Sequence, residues 1–359
     1  MNKRITFLLS HSGQKPIGGF KIIYEYANRL TQRGWHVTII HPSSLWNKNY
    51  PLGKANKLKS ILKYFFKLLT RTYLPSAWMK IDSRIRMLWT LTLEERWIPD
   101  ADYVVACPVE ATFSAVNYSD KKGKKIYFIQ HFEDWDIPKL LVEKSWKFSF
   151  KKIVIAKWLQ DIAHSLNEDA TYIPNGLDFS FFKKIKSMDQ RPPFSICFLY
   201  HQLAWKGTRF ALEAMRILKD KYPELTVTVF CAYPISEKLP DFIKKFIDPD
   251  QNTLREIYNS NTIFISPSIA EGWPLPPAEA MLCGCVVIAT DIGGHREYID
   301  NTINGFFCKP ESAESIVDKV EYIFQTPKVA AIISETAPAT LHKFDWESRV
   351  GLFEKALDS

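Results

Sequence analysis

Glu271 and Glu279 stand eight residues apart in the stretch Ser266-Pro-Ser-Ile-Ala-Glu271-Gly272-Trp273-Pro-Leu-Pro276-Pro277-Ala-Glu279-Ala-Met-Leu-Cys-Gly284. The chemistry such a stretch offers is ligand binding. Open α/β sheets bind ligands beyond the carboxyl ends of their strands, and phosphates gather at helix N-termini. Asn261–Ile265 reads as a short buried strand, apolar and β-branched between polar turn residues, and Cys285–Thr290 as another. Pro276 and Pro277 suit a first helical turn, where a missing N–H costs nothing, and Gly284 suits the stop. The unit is therefore strand, loop, short helix, strand, a parallel crossover. Glu271 falls in its loop and Glu279 about one turn into its helix. Two acids near a helix start could merely complement the helix dipole. That reading leaves unexplained why a Gly-Trp-Pro-Leu-Pro-Pro loop carries them.

Other residues of the same chemical kind follow predicted strands. Phe194–Tyr200 is a strand, and His201-Gln-Leu-Ala-Trp-Lys206-Gly207 leads from it into a helix from Thr208 to about Lys221. A lone lysine at a helix start is ordinarily surface decoration. Leu225–Cys231 is a further strand, and Tyr233 just beyond its end could stack on a planar base or simply pack. Near the N-terminus, Arg4–Ser10, a loop holding Gly18 and Gly19, a helix over Phe20–Arg33 and a strand over His36–His41 form a βαβ unit. A glycine pair there lets backbone N–H groups approach an anion, although it more often marks a tight turn. The three-glycine dinucleotide fingerprint is absent and no acid ends the second strand, which argues against a nicotinamide cofactor. Lys125–Gln130 is a buried strand ending in Gln130-His131-Phe-Glu133-Asp134-Trp135-Asp136, whose acids could grip hydroxyls or cap a helix and whose His131 could be structural. No metal is expected from the sequence.

The pattern Ser-x-x-Glu271-Gly272-x-x-x-Pro-x-x-Glu279-Ala-Met-x-x-Gly284 resembles the Glu-x7-Glu signature of retaining, nucleotide-sugar-dependent glycosyltransferases of the GT-B fold, family-4 type. The resemblance runs across nearly the whole chain, strongest from Ser195 to Gly305. It implies an α/β architecture of two Rossmann-like parallel-sheet domains facing each other across a cleft. Pro174-Asn-Gly-Leu-Asp178 is similar to the family's hinge, which places an acceptor-side domain at 1–173 and a donor domain at 174–340. A C-terminal helix at 341–359 then crosses back to the first domain. By the same resemblance Glu279 holds ribose hydroxyls and Glu271 the hydroxyls of the donor sugar. Lys206 and Gly207 attend the diphosphate, with Gly18 and Gly19 facing diphosphate and acceptor. Gly272 and Trp273 belong to the donor loop, and His131 contacts the donor sugar. His201 stands where the family has arginine, which puts two-cation clamping of the diphosphate in doubt; it could donate a hydrogen bond or be protonated beside a diphosphate. Gly293-Gly294-x-x-Glu297 resembles a further donor-side segment.

Composition bounds the rest. A chain of 359 residues, 46% hydrophobic and 24% charged, suits two ordinary globular domains. No secretory leader and no apolar run long enough to span a bilayer are visible, and the six scattered cysteines suit buried thiols of a reducing cytoplasm. The net charge of +8 is concentrated: ten Lys and Arg against Asp82 alone lie between Asn47 and Arg86. There Leu58, Ile61, Leu62, Phe65, Phe66, Leu68 and Leu69 recur at helical spacing among lysines. Charge alone suits a helix lying on an anionic membrane surface or one packed on its own domain; the resembled enzyme class, which often extends lipid-linked glycans, favours the membrane. No recognition motif accompanies the charge, so nucleic acid is not expected.

The expected reaction is transfer of a hexose or deoxyhexose from a nucleoside-diphosphate sugar to a glycan or lipid-linked glycan, in bacterial surface polysaccharide or glycoconjugate synthesis, by an enzyme in the cytoplasm or at the inner membrane face. The resemblance implies front-face attack with retention, the leaving phosphate helping to deprotonate the acceptor; His131 is the fallback general base. No cofactor beyond the sugar nucleotide is expected. Two alternatives stay open: an epimerase of sugar nucleotides on the same fold, which needs no acceptor, and a noncatalytic membrane-associated partner subunit, for which His201 is a suggestive departure.

Overall fold

A computed structural model describes residues 3–11, 14–45 and 57–359. Ser12, Gly13 and the first ten residues of the basic segment lie outside the described residues. The chain divides into two units, one formed by 1–175 with 347–359 and the other by 176–346.

In the first unit the elements run β1 (Arg4–Leu8), α1 (Gly18–Gln32), β2 (His36–Pro42), α2 (Lys57–Thr70), β3 (Arg86–Thr90), β4 (Tyr103–Ala106), α3 (Val109–Ala115), β5 (Lys124–Ile129), α4 (Lys139–Trp146), β6 (Lys151–Val154), α5 (Lys157–Ser165) and β7 (Thr171–Tyr172). The strands form one parallel sheet in the order β3-β2-β1-β4-β5-β6-β7. Strands buried on both faces must be apolar throughout rather than alternating. Phe7, Leu8, Val105, Phe128, Ile129 and Val154 obey that rule, all at 1% exposure or less.

The second unit repeats the design with β8 (Ser195–Leu199), α6 (Thr208–Lys221), β9 (Thr226–Cys231), β10 (Ile243–Ile247), α7 (Gln251–Asn259), β11 (Ile263–Ser266), α8 (Leu275–Leu282), β12 (Val286–Thr290), β13 (Phe306–Cys308), α9 (Ala313–Gln325) and α10 (Pro327–Thr340). Its parallel sheet has the order β10-β9-β8-β11-β12-β13. Each sheet is doubly wound and Rossmann-like. Its strand order reverses beside the first strand, between β1 and β4 in one unit and between β8 and β11 in the other.

The last helix, α11 (Trp346–Asp358), belongs to the first unit from Glu347 onward. Phe353 is fully buried against Phe7, Tyr26 and Phe128. Arg33 bridges Glu347 and Glu354, and Tyr103 donates to Asp358 at 2.8 Å. The chain passes between the units at Gly176, whose absent side chain makes room for the Trp346 ring: a Cβ there would lie 2.3 Å from it.

Several elements differ from the sequence reading. Gly18 and Gly19 are not in a loop but open α1, because the Ile17 carbonyl already accepts from Lys21 N–H and closes the first turn. The edge strand β10 went unrecognised because only Ile243 in it is buried while Lys244 and Lys245 are exposed, so it carries no apolar run. Strand β13 is three residues long, too short for any periodicity.

The structure also shows which way α2 faces. Leu58, Leu62, Phe65, Phe66 and Leu69 are each more than half exposed, and they share one helical face. The opposite side meets the sheet edge, where Tyr64 O accepts from Trp89 Nε1 and Ser60 O from Ser43 Oγ. No helix among the described residues is long and apolar enough to cross a membrane.

Candidate active site

In the second unit, the loops after β8 and β11 leave the sheet at the reversal of strand order, where doubly wound sheets bind ligands. The first loop ends in Lys206-Gly207 and the second carries Ser268, Glu271 and Gly272. They meet in a direct ion pair: Lys206 Nζ lies 2.8 Å from Glu271 Oε1, which also accepts from Ser268 Oγ at 2.7 Å. Burial alone would push the Glu271 carboxyl up, but the Lys206 ammonium and the hydrogen bonds from Lys206 and Ser268 outweigh it and hold the group below its usual range.

Glycine is required where these loops touch. Gly207 has φ +65°, and a Cβ there would lie 1.9 Å from Pro267 O. Gly294, after β12, backs the second loop so closely that a Cβ would lie 2.6 Å from Glu271 O. His295 then clasps the loop from behind. Its Nδ1–H donates to Thr290 O at 2.8 Å, so its Nε2 accepts from Ser266 Oγ, also at 2.8 Å. Full burial pushes this imidazole down to about 4, which keeps it neutral in that tautomer near neutral pH.

Helix α8 begins as expected, with prolines in its first turn and Cys283 and left-handed Gly284 at its end. Glu279 lies on its buried side, 5% exposed, with Tyr258 Oη 3.5 Å from its Oε2. Trp273 is 4% exposed and packs on Tyr298 and Phe344, so its ring supports the loop from within the unit rather than lining a surface. His201 accepts from Leu203 N–H through Nδ1 at 3.1 Å, which leaves its proton on Nε2. Burial, with help from Lys206, lowers its basicity and favours the neutral ring with a proton to donate. Tyr233 is 49% exposed beyond β9, and the residues after it are tied to the β8 loop by Tyr200 and Gln202.

The first unit gathers its own predicted residues at the corresponding edge. Gln130 Nε2 donates to Gly19 O at 3.2 Å, which joins the loop after β5 to the start of α1. A Cβ on Gly18 would meet no atom of the described residues within 4 Å. His131 accepts from Phe132 N–H at 2.9 Å through Nδ1, so a neutral ring carries its proton on Nε2 and is set up to donate. A general base would need the opposite arrangement. Next to it Glu133 adopts φ +23° and accepts from Val109 N–H at 3.0 Å; burial pushes its carboxyl up to about 8. Glu133 therefore caps a helix, one of its two expected roles.

Sequence reasoning missed Ser268, Tyr258 and His295. Ser268 and His295 lay inside quoted segments, but only folding shows that they touch Glu271 or its loop. Among the described residues no group of histidines, cysteines and carboxylates could hold a metal ion.

Residues 181–340 match the model of the family glycosyl transferases group 1. The chain is 26% identical over 144 residues to an uncharacterized glycosyltransferase of Haemophilus influenzae, covering 38% of this chain and 40% of that protein. It is 24% identical over 169 residues to the N,N'-diacetylbacillosaminyl-diphospho-undecaprenol alpha-1,3-N-acetylgalactosaminyltransferase of Campylobacter jejuni, covering 46% of this chain and 44% of that protein. The alignments thus span less than half the length of these relatives. Among solved structures, Anabaena HepE in complex with UDP and glucose superposes with a TM-score of 0.74 at 15% identity, over 99% of this chain and 100% of that one. TarM superposes with a TM-score of 0.76 at 12% identity, over 100% of this chain and 99% of that one. The fold is GT-B, and the family match with the named relatives supports a glycosyltransferase of that type.

Proposed function

We propose that this GT-B chain transfers a sugar from a nucleoside diphosphate to a glycan or lipid-linked glycan acceptor. The observation that carries the reading is the Lys206–Glu271 pair. A cation suited to a diphosphate and an ionised carboxylate suited to sugar hydroxyls are held in contact at the ligand edge of the second sheet, inside the region matched by the family model. Glu279, about one turn into α8, suits the ribose. His201 and the backbone at the start of α6 add hydrogen-bond donors, so charge developing on the leaving diphosphate meets preorganised dipoles and one cation. The glycosyl bond is broken as the acceptor oxygen bonds to the anomeric carbon. The acceptor proton leaves with the diphosphate side, since His131 is set up to donate. Retention of configuration and independence of metal belong to this proposal, as does a hexose or deoxyhexose donor. The Campylobacter relative acts on a polyprenyl-linked substrate by its name, which supports a lipid-linked acceptor and a place in bacterial surface glycan synthesis.

A thermal-shift panel of UDP, GDP, dTDP, CMP and NAD tests the donor site. One nucleoside diphosphate at a hundredfold its Kd should stabilise the wild type by about 2.7 kcal/mol and leave Glu279→Ala and Lys206→Ala unshifted. A protein indifferent to all five would be a noncatalytic partner instead.

The outward apolar face of α2, flanked by the exposed Lys59, supports peripheral attachment to an anionic membrane on the cytoplasmic side. Flotation with vesicles of phosphatidylglycerol and phosphatidylcholine should carry the protein upward, and vesicles of phosphatidylcholine alone should not. Leu62→Ser with Phe66→Ser should abolish flotation. Equal flotation of that variant would rule the face out.

A further inference from the structure

Behind Glu271 the side chains that follow β11 and β12 form a directed chain of hydrogen bonds. Ser266 Oγ–H donates to His295 Nε2 and His295 Nδ1–H to Thr290 O, both at 2.8 Å, with Thr290 Oγ1 3.3 Å from the same Nδ1. The Thr290 hydroxyl proton goes to Ser268 O, and Ser268 Oγ–H donates to Glu271 Oε1 at 2.7 Å. His295 and Thr290 are 0% and 1% exposed, so neither can touch a ligand. The parallel pairing of β11 with β12 brings the segments together, since it sets Ser266 opposite Ala289. A hydroxyl has one proton to give, so the direction of every link follows from the His295 tautomer. The chain ends in an asymmetry. Lys206 Nζ and Ser268 Oγ both donate to Oε1 of Glu271, and no described residue donates to Oε2. A carboxylate oxygen on a side chain only 13% exposed calls for a donor, and a sugar hydroxyl supplies one.

We infer that Thr290 and His295 are positioning residues for Glu271: by pinning the Ser268 main chain they turn Oε1 to the protein and Oε2 to a hydroxyl of the donor sugar. The role of Glu271 toward the sugar rests on the transferase proposed above; the chain of hydrogen bonds does not. Thr290→Val isolates the effect, because valine keeps the size and removes the hydroxyl. Ser268 O is then left without that donor in a dry place, which a buried carbonyl relieves by turning toward another. Ser268 Oγ moves with its main chain and releases Oε1, and the carboxylate swings about its remaining tie to Lys206. A displacement of about 1 Å at a positioning group costs as much as roughly a hundredfold. Packing alone would act differently. A loosened loop weakens nucleotide and sugar nucleotide together, because Lys206 is tied to that same loop.

The test is titration calorimetry of the full chain with UDP, GDP and dTDP, and with UDP-glucose, GDP-mannose and dTDP-rhamnose. The quantity read is the ratio of the Kd for a bare diphosphate to the Kd for its sugar nucleotide. For the pair that binds best, Glu271→Gln and Thr290→Val should each lower that ratio about tenfold. In Thr290→Val the Kd for the bare diphosphate should stay within about twofold of wild type. Thr290→Ser restores the hydroxyl and should restore the ratio. Thr290→Val added to Glu271→Gln should lower the ratio no further, since the threonine acts through that carboxylate. Should Thr290→Val not fold, Ser268→Ala carries the same cycle by deleting the donor to Oε1 directly. Three outcomes would overturn the inference while Glu271→Gln still lowers the ratio and the donor reading stands. They are an unchanged ratio in the folded variant, equal loss of diphosphate and sugar nucleotide, and losses that multiply in the double variant. A ratio that Glu271→Gln does not lower, or no binding of any probe, would remove the donor reading and the inference with it.

Discussion

Lys206→Ala should lower kcat/KM for the sugar nucleotide at least a hundredfold and destabilise the second unit by about 3 kcal/mol. Activity and stability fall together for one reason. Removing the ammonium takes away the cation proposed for the diphosphate and also strands the Glu271 carboxylate in a buried site, with Ser268 as its remaining side-chain donor among the described residues. Glu271→Gln should lose comparable activity with a smaller stability penalty, because Lys206 is the more exposed member and its head can turn to water. Lys206→Met combined with Glu271→Gln should be more stable than Lys206→Ala, since a matched neutral pair removes the stranded charge. Chemical unfolding followed by circular dichroism, with nucleotide release as the activity assay, reads all three.

The pH dependence gives this prediction a second arm. In the wild type the Glu271 carboxyl is held below its ordinary value, so its contribution to stability is present above about pH 4.3 and is lost as pH falls through the lower folded value. Without Lys206, burial is the largest remaining influence and raises the group. The folded state then takes up a proton before the unfolded one does, so Lys206→Ala should gain stability relative to wild type as pH falls from 7 toward 5. A constant difference between the two proteins over that range would mean that the ion pair does not govern Glu271.

Gly207→Ala should be the most damaging single-methyl change in the second unit, at about 3 kcal/mol or more. Part of that is the left-handed backbone at φ +65°, which costs a non-glycine residue about 1–2 kcal/mol. The rest is collision, because the new methyl would occupy the position of Pro267 O, at 1.9 Å. Relief requires the β8 and β11 loops to separate, which would pull Lys206 from Glu271 and weaken nucleotide binding as well. Gly18→Ala is the control. Its methyl meets no atom of the described chain, so stability should change by less than about 0.5 kcal/mol. Loss of activity at Gly18 with stability intact would then report close approach of a ligand. A Gly207→Ala protein with wild-type unfolding and binding would show that the loop contact is dispensable.

Much of this was legible in the chain itself. The runs Asn261–Ile265 and Cys285–Thr290 are apolar enough to be buried strands whatever surrounds them, and the Pro276-Pro277 start and Gly284 stop leave one place for the helix between them. Local sterics and hydrophobicity determine such elements, so Glu271 and Glu279 could be placed at a sheet edge without coordinates. The spacing of Leu58, Leu62, Phe65, Phe66 and Leu69 likewise announced an amphipathic helix.

What only the tertiary structure decided were contacts between residues far apart in sequence and the direction in which faces point. Lys206 and Glu271 are 65 residues apart and meet because β8 and β11 are neighbours at the reversal of strand order. Spacing along the chain contains no term for that adjacency. Trp273 belongs to the expected donor loop, yet Tyr298 and Phe344 enclose its ring; His201 reads equally as a hydrogen-bond donor or a cation, and only its burial beside Lys206 shows that its basicity is lowered. The amphipathic pattern of α2 was the same for a packed helix and an exposed one. Its contacts with Trp89 and Ser43 turn its polar side inward and its apolar side out, and periodicity cannot tell the two apart because it records a face without recording its neighbour.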